Sequence, residues 1–177
     1  MIRDIVDKSR VKRALAYFLL MLIALLLQNT ILSYIRIVNV EPFFLPGVCV
    51  AVGILEGGSF GGYFSLVFGI LADMQFSENT VLFTMLFPFV GFMSGFLAEF
   101  YINRKFLSYN VLAFLAVLLT SIVQMFKATL FYGATFSNVA TIAILQTFWS
   151  IPFNMLFYFC ALRLNKIMGP AYGRKDR

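Results

Sequence analysis

The sequence predicts an all-α integral membrane protein, a compact bundle of about six transmembrane helices with both termini in the cytoplasm. Three observations lead to this prediction. Of the 177 residues, 61% are hydrophobic and only 12% are charged, more apolar surface than a soluble domain of this size needs. The mean hydropathy is +0.89. The apolar residues fall into six runs with short turns between them, and the basic residues gather outside those runs.

The six runs define one membrane domain, residues 14–166. It lies between a basic N-terminal segment (1–13) and a basic C-terminal tail (167–177). A helix needs about 20 apolar residues to cross the hydrocarbon core. The predicted spans are residues 14–35, 42–55, 59–74, 80–100, 109–132 and 139–164. The second and third are short, so tilted helices, a re-entrant hairpin and two spans in a thinned bilayer all stay open.

The positions of lysine and arginine predict the orientation. Five lie in residues 1–13, two in the loop at Arg104 and Lys105, and five from Arg163 onward. Arg36 and Lys127 are the two that remain for the opposite side. Cytoplasmic loops carry the excess of basic residues, so this distribution places both termini in the cytoplasm and requires an even number of crossings.

Several function classes have little support in the composition. The chain has no histidine, which is the commonest metal ligand and the usual proton carrier near neutral pH. Cys49 and Cys160 lie far apart inside apolar runs, where we interpret them as small hydrophobic residues. No nucleophile–base pair, phosphate loop or nucleic-acid-binding patch is recognisable. We therefore expect no enzyme, no cofactor, no metal and no nucleic-acid partner.

A strip of small residues runs through the third predicted span, in the stretch "GGSFGGYFSLVFGILAD". Gly57, Gly61, Ser65, Gly69 and Asp73 recur every fourth residue and so share one face of a helix. Glycine weakens a soluble helix, but in lipid a strip of small residues lets a second helix approach closely. The spacing predicts a close helix–helix contact along this face.

The fourth predicted span repeats the pattern with Gly91 and Gly95 in "GFMSG". Two interpretations of these strips stay open. The first is packing between helices of this chain, which we prefer because most membrane bundles use small residues in this way. The second is a docking face for a partner protein. Under the first, the third and fourth spans pack on each other.

Polar residues near the helix ends supply the other candidates. Asp73 ends the strip near the outer surface, and a carboxylate in a membrane protein calls for a functional hypothesis. A pair with Lys127 is compatible with the topology, but we favour the alternative that Lys127 reaches the interface by itself. Five polar residues lie closer to the middle of the spans, where we expect hydrogen bonds between helices, with contact to a ligand as the less favoured alternative. These are Gln28, Asn29, Gln124, Gln146 and Asn154.

The stretches "LLLQNTIL" and "EPFFLPGVCVAVGILEGGSFGGYFSLVFGILADM" resemble the rod-shape-determining MreD family of bacteria. Shared features are a leucine-rich helix ending near L-Q-x-T, a proline opening the next apolar segment, and a helix finishing in G-x-x-x-D at Gly69 to Asp73. The resemblance covers roughly residues 14–166. One departure is Phe43 after Pro42, where many members have an acidic residue.

This resemblance implies a non-enzymatic scaffold of the cell-elongation complex in the bacterial cytoplasmic membrane. Its partners would be an MreC-like bitopic protein, the RodA–transpeptidase synthase and the MreB filament, besides membrane lipids. Under this hypothesis Asp73, Arg104 and Lys105 are candidate partner contacts. A fainter resemblance to the substrate-binding subunits of energy-coupling-factor vitamin transporters, which are also compact six-helix bundles, supplies the alternative function. Those subunits carry an Ala-x-x-x-Ala patch on the first helix that is absent here.

Overall fold

The computed structural model describes residues 2–32, 40–75, 81–101, 106–132 and 136–168. Apart from an isolated bridge at Val40, every regular element in those ranges is helical. The helices are α1 (Ile2–Leu27), α2 (Leu45–Glu56), α3 (Gly58–Gln75), α4 (Leu82–Phe100), α5 (Phe106–Tyr132) and α6 (Phe136–Met168). A π-helical turn, Gln28–Leu32, extends α1. The all-helical class and the number of helices agree with the prediction.

The helices extend beyond several of the predicted spans. α1 already begins at Ile2, inside the basic segment, and α6 covers Phe136–Met168 where residues 139–164 were predicted. An apolar run locates the membrane-crossing part of a helix, but it does not mark where the helix ends. Basic residues with long side chains can continue the helix into the interface and keep their charges in water.

The short helix α2 lies at the centre of the bundle. Its 12 residues rise about 18 Å, less than the roughly 30 Å of the hydrocarbon core. Every residue from Leu45 to Leu55 is buried, and α2 packs against all five other helices. Pro46 fits in its first turn, where a missing N–H breaks no helical hydrogen bond. α2 is therefore a core element covered by protein on every side.

The non-helical segment 41–44 and α2 together return the chain along α1. At one end Gln28 donates a hydrogen bond of 2.8 Å to the Pro42 carbonyl, and at the other Arg13 forms an ion pair of 3.0 Å with Glu56. Arg13 and Gln28 are separated by about 22 Å of helix. The non-helical segment 41–44 and the short helix α2 together thus cover the same distance as this section of α1.

The remaining helices alternate between two ends of the bundle, which we call the Glu56 end and the Asp73 end. α3 leaves the Glu56 end, and α4 begins beside Asp73. α5 and α6 form a pair, in which the rings of Tyr109 and Tyr158 stack with centroids 4.3 Å apart. Arg13 Nη2 donates to the Met168 carbonyl at 3.2 Å. Arg13 of α1 and the last residue of α6 therefore lie at the same end of the bundle.

Four helices in the described part of the chain are long and apolar enough to cross a membrane. They are Val11–Thr30, Leu82–Phe100, Phe106–Met125 and Ser137–Met168. Large apolar side chains on these helices face outward, for example Leu15, Met85, Leu115 and Phe148. A surface of this kind is stable when lipid covers it. By length and composition the chain is a membrane protein with several spans.

Candidate functional site

The predicted glycine strips of α3 and α4 face each other, and α2 joins the contact. A Cβ atom built on Gly61 would lie 2.6 Å from Gly53 Cα of α2 and 2.8 Å from the Gly91 carbonyl oxygen of α4. Real side chains do not approach so closely, so the three backbones meet at a distance that only glycine allows. We call this contact the glycine seam. Its members are Gly53, Gly57, Gly58, Gly61, Ser65, Gly69, Gly91, Ser94 and Gly95.

Gly53 is the member that sequence reasoning missed. It lies four residues before Gly57, so the spacing that defines the strip extends backward into α2. A Cβ on Gly53 would overlap Ser94 Oγ and the Gly91 carbonyl oxygen. The four-residue spacing includes Gly53, but the turn at Gly57 divides this spacing between α2 and α3. The strip thus lines a contact of three helices, where the sequence predicted two.

The Glu56 end of the seam contains the turn between α2 and α3. Gly57 has φ +99°, a backbone conformation that favours glycine. Gly95 of α4 packs against this turn, because its Cβ would lie 2.5 Å from Gly58 Cα. Glu99 accepts a hydrogen bond of 3.2 Å from the Gly58 amide. The tight turn is therefore fixed by backbone contact with α4 and by one carboxylate.

The middle of the seam contains Ser65. A Cβ on Gly91 would overlap Ser65 Oγ and would lie 2.6 Å from the Gly61 carbonyl oxygen. The side chain of Ser65 is fully buried. Its small volume explains its place in the strip, since any larger side chain would push α4 away.

Asp73 lies at the opposite end and binds the start of α4. Its two carboxylate oxygens accept hydrogen bonds from the Phe83 amide (3.0 Å), the Thr84 amide (2.7 Å) and the Thr84 hydroxyl (2.6 Å). The first amides of a helix have no partner within the helix, and a carboxylate satisfies them while facing the positive end of the helix dipole. Gly69 admits α4 here, because its Cβ would lie 2.5 Å from the Phe83 carbonyl oxygen.

These contacts bear on the hypothesis that Asp73 touches a partner. Its acceptor atoms are used inside the chain, in a role that the sequence did not predict. Arg104 and Lys105 lie outside the described residues, as does the side chain of Lys127, so the Asp73–Lys127 pair and the basic loop remain predictions.

A charged cluster at the Glu56 end was not predicted. Glu56 Oε2 pairs with Arg13 Nη1 at 3.0 Å, and Glu56 Oε1 accepts hydrogen bonds of 2.9 Å from the Tyr17 hydroxyl and from Asn165 Nδ2. The side chain of Glu56 is 3% exposed and that of Arg13 is 12% exposed. Because a buried charge is costly unless it is paired, this cluster requires all of its members. The local sequence around Glu56 predicted no role for this residue.

Polar side chains from α1 and α6 hold the non-helical segment before α2. Gln28 Nε2 donates to the Pro42 carbonyl at 2.8 Å, and Gln146 Nε2 donates to the Glu41 carbonyl at 3.1 Å. The Phe43 amide donates to Ser150 Oγ at 2.8 Å. Irregular backbone at membrane depth is stable only where protein satisfies its polar groups. Gln28 and Gln146 therefore have the hydrogen-bonding role between elements that their positions predicted.

Some buried side-chain oxygen atoms have no hydrogen-bond partner among the described residues. They are Ser121 Oγ, Gln124 Oε1, Gln146 Oε1 and Asn154 Oδ1. Asn154 Oδ1 lies against Gly47 of α2, at a position that a Cβ on Gly47 would fill. Ser121 and Gln124 project from α5, and Gln146 projects from α6. The paired helices α5 and α6 thus contain hydrogen-bonding capacity that the described residues do not use.

The contacts described above hold the helices of the bundle together. No group of three or more His, Cys, Asp or Glu side chains in the described part of the chain could hold a metal ion. Of the two cysteines, Cys49 is buried in α2 and Cys160 is exposed on α6. The carboxylates with contacts described above, Glu56, Asp73 and Glu99, all bind groups of this chain.

The fold and these contacts define a class: an all-helical membrane protein with a short central helix packed through glycine. No family model, no curated protein and no solved structure matches this chain.

Proposed function

We propose that this chain is a non-enzymatic scaffold of the bacterial cell-elongation complex. It would organise peptidoglycan-synthesis partners in the plane of the cytoplasmic membrane, as its resemblance to the MreD family implies. Its partners would be an MreC-like bitopic protein, the RodA–transpeptidase synthase and the MreB filament. Asp73, Arg104 and Lys105 remain candidate contact residues in this proposal.

The single observation that carries the proposal is the burial of α2. Residues from Leu45 to Leu55 fill the centre of the bundle, and the glycine seam fixes α2 to α3 and α4 at backbone distance. Closely packed interiors deform little and transmit strain. A bundle with such a centre offers its partners a surface of constant shape, which is the property that a scaffold needs.

The charges support an orientation with the Glu56 end in the cytoplasm. Lys12, Arg163 and Lys166 are exposed on the sections of α1 and α6 that meet at this end. The positive-inside rule favours such residues on the cytoplasmic side. In this orientation the basic tail and the loop with Arg104 and Lys105 would also be cytoplasmic, within reach of a cytoplasmic filament.

The proposal is tested by depleting the protein from its native cell. We expect rod-shaped cells to become round, and we expect an MreC-like partner to be lost from the purified complex. Complementation with the wild-type chain and with Gly62→Ala should restore the rod shape. Complementation with Gly61→Leu, which disrupts the seam, should not. Normal cell shape after complete depletion would refute the proposal.

The second candidate function is that of a substrate-binding subunit of an energy-coupling-factor vitamin transporter. The oxygen atoms of Ser121, Gln124 and Gln146 favour it, because they have no hydrogen-bond partner among the described residues and a small polar ligand could satisfy them. The same depletion experiment separates the two candidates. Loss of vitamin uptake with normal cell shape would support the transporter subunit.

A further inference from the structure

Between residues 11 and 30, α1 contacts the bundle through one narrow stripe of side chains. Its buried residues are Tyr17, Leu20, Met21, Ala24, Leu25 and Gln28. Their spacing of three and four residues defines one face of a helix. The side chains between them are exposed or half-buried, and Leu15, Leu19 and Leu26 are each about 60% exposed or more. α1 is therefore a peripheral helix with one face on the core.

Apolar contact alone holds such a helix weakly in a bilayer. Lipid tails are as apolar as leucine, so burying a leucine against protein instead of lipid gains little. Close packing through small residues is the alternative, and Ala24 is the one small residue in this stripe. The glycine seam, by contrast, brings whole backbones together. The position of α1 must therefore depend more strongly on its polar contacts.

Those polar contacts lie at the two ends of the stripe. At the Asp73 end, Gln28 donates to the Pro42 carbonyl and accepts from the Phe44 amide, at 2.8 and 3.4 Å. At the Glu56 end, Arg13 and Tyr17 both bind Glu56. Between them the rings of Tyr17 and Phe64 touch edge to face.

The Glu56 end is the stronger of the two attachments. It contains an ion pair between nearly buried side chains, whereas the contacts of Gln28 are neutral, and charge-assisted hydrogen bonds are roughly twice as strong as neutral ones. Arg13 also reaches the Met168 carbonyl, and Asn165 of α6 binds the same Glu56 oxygen as Tyr17. One carboxylate thus connects α1, the α2–α3 turn and α6.

We propose that Glu56 is a latch that holds α1 over the core. When its bonds to Arg13 and Tyr17 are broken, α1 swings away at the Glu56 end and uncovers Phe60 and Phe64 of α3, while the other five helices keep their packing. α1 is then a lid that can open sideways into the membrane. The latch is independent of the scaffold function proposed above.

Distances between spin labels in lipid nanodiscs test this proposal. The background carries Cys49→Ala and Cys160→Ser, and labels are attached to exposed positions through Leu19→Cys on α1 and Met85→Cys on α4. The latched protein should give one distance. Glu56→Gln and Arg13→Gln should each add a second population, longer by on the order of 5 Å, about half a helix diameter.

Two controls make the result specific. The first is a label pair outside α1, Leu115→Cys with Met85→Cys, whose distance should not change in either variant. The second is Glu99→Gln, which removes a charge at the same end without touching α1 and should leave both distances unchanged. A single unchanged α1 distance in Glu56→Gln and in Arg13→Gln would overturn the proposal. Equal broadening of both label pairs would also overturn it, because Glu56 would then hold the whole bundle together.

Discussion

The glycine seam and the attachment of α1 are two solutions to the same problem, which is holding helices together where lipid competes for every apolar contact. In the seam, Gly53, Gly61 and Gly91 remove side chains so that α2, α3 and α4 meet backbone to backbone. α1 keeps its large apolar side chains and relies on polar bonds at its two ends. The seam depends on glycine residues that lack a side chain, and the attachment of α1 depends on a few specific polar atoms. Mutations should therefore damage them in different ways.

The largest expected effect comes from filling the seam. Gly61→Leu places four carbon atoms where even a Cβ would lie 2.6 Å from Gly53 Cα. Because the obstacle is backbone on two neighbouring helices, α2 and α4 must both move, and overpacking of this kind is strongly destabilising. We expect no folded monomer in detergent, measured by size-exclusion chromatography and circular dichroism. Recovery of a stable monomer would show that the seam can open at little cost.

Removing the Glu56 carboxylate, which attaches α1 to the bundle, should lower the free energy of unfolding by less than filling the seam, but still by a large amount. Glu56→Ala leaves the nearly buried Arg13 and the Tyr17 hydroxyl without their partner. Breaking one side of a buried ion pair typically costs about 3–5 kcal/mol. Denaturant titration in mixed micelles measures the loss. Glu99→Ala at the same end is the control, with a smaller expected loss of about 0.5–2 kcal/mol, that of a helix cap. Equal losses in Glu56→Ala and Glu99→Ala would mean that the Arg13–Glu56 ion pair makes no specific contribution to stability.

The second attachment of α1 should be weaker. Gln28→Met keeps the length of the side chain but removes the bonds to the Pro42 carbonyl and the Phe44 amide. A buried backbone group left without a partner costs about 1–3 kcal/mol. The same titration should give a loss smaller than that of Glu56→Ala. A larger loss would mean that the Gln28 attachment is the stronger of the two. α1 would then move away from the bundle at the Asp73 end and stay attached at the Glu56 end.

The smallest expected effect concerns the start of α4. Asp73→Ala removes the acceptor for the Phe83 and Thr84 amides, and loss of such a cap costs about 0.5–2 kcal/mol. Asp73→Asn keeps one oxygen acceptor and should lose less. Thermal unfolding in detergent measures both. If Asp73→Ala leaves stability unchanged but abolishes partner binding, Asp73 acts mainly as the partner contact that the sequence suggested.

The sequence predicted the parts of this fold that depend on regular spacing. Four-residue intervals between Gly57, Gly61, Ser65 and Gly69 indicated a close helix contact, and Gly91 with Gly95 indicated the partner helix. The balance of basic residues predicts an even number of crossings, and this stays a prediction. Each of these patterns can be recognised from residues close together in the sequence or from a sum over the chain.

The parts that sequence reasoning missed depend on distant pairs. Glu56 becomes a latch only because residues 43 positions before it and 109 positions after it converge on its carboxylate. The segment before α2 is held by partners far along the chain, such as Ser150, which accepts from the Phe43 amide. Asp73 looked available for a partner because the groups that donate to it, on Phe83 and Thr84, belong to the next helix.

The most direct test of the account compares two adjacent glycines. A Cβ on Gly61 meets the backbones of α2 and α4, whereas the nearest atom to a Cβ on Gly62 is Phe92 Cβ at an ordinary 3.4 Å. Both changes to alanine improve helix propensity equally, by up to about 1 kcal/mol. The free energy of unfolding in mixed micelles should fall by about 1–3 kcal/mol for Gly61→Ala and should stay equal or rise for Gly62→Ala. Equal changes in the two variants would contradict the claim that backbone contact through glycine holds the core of this bundle.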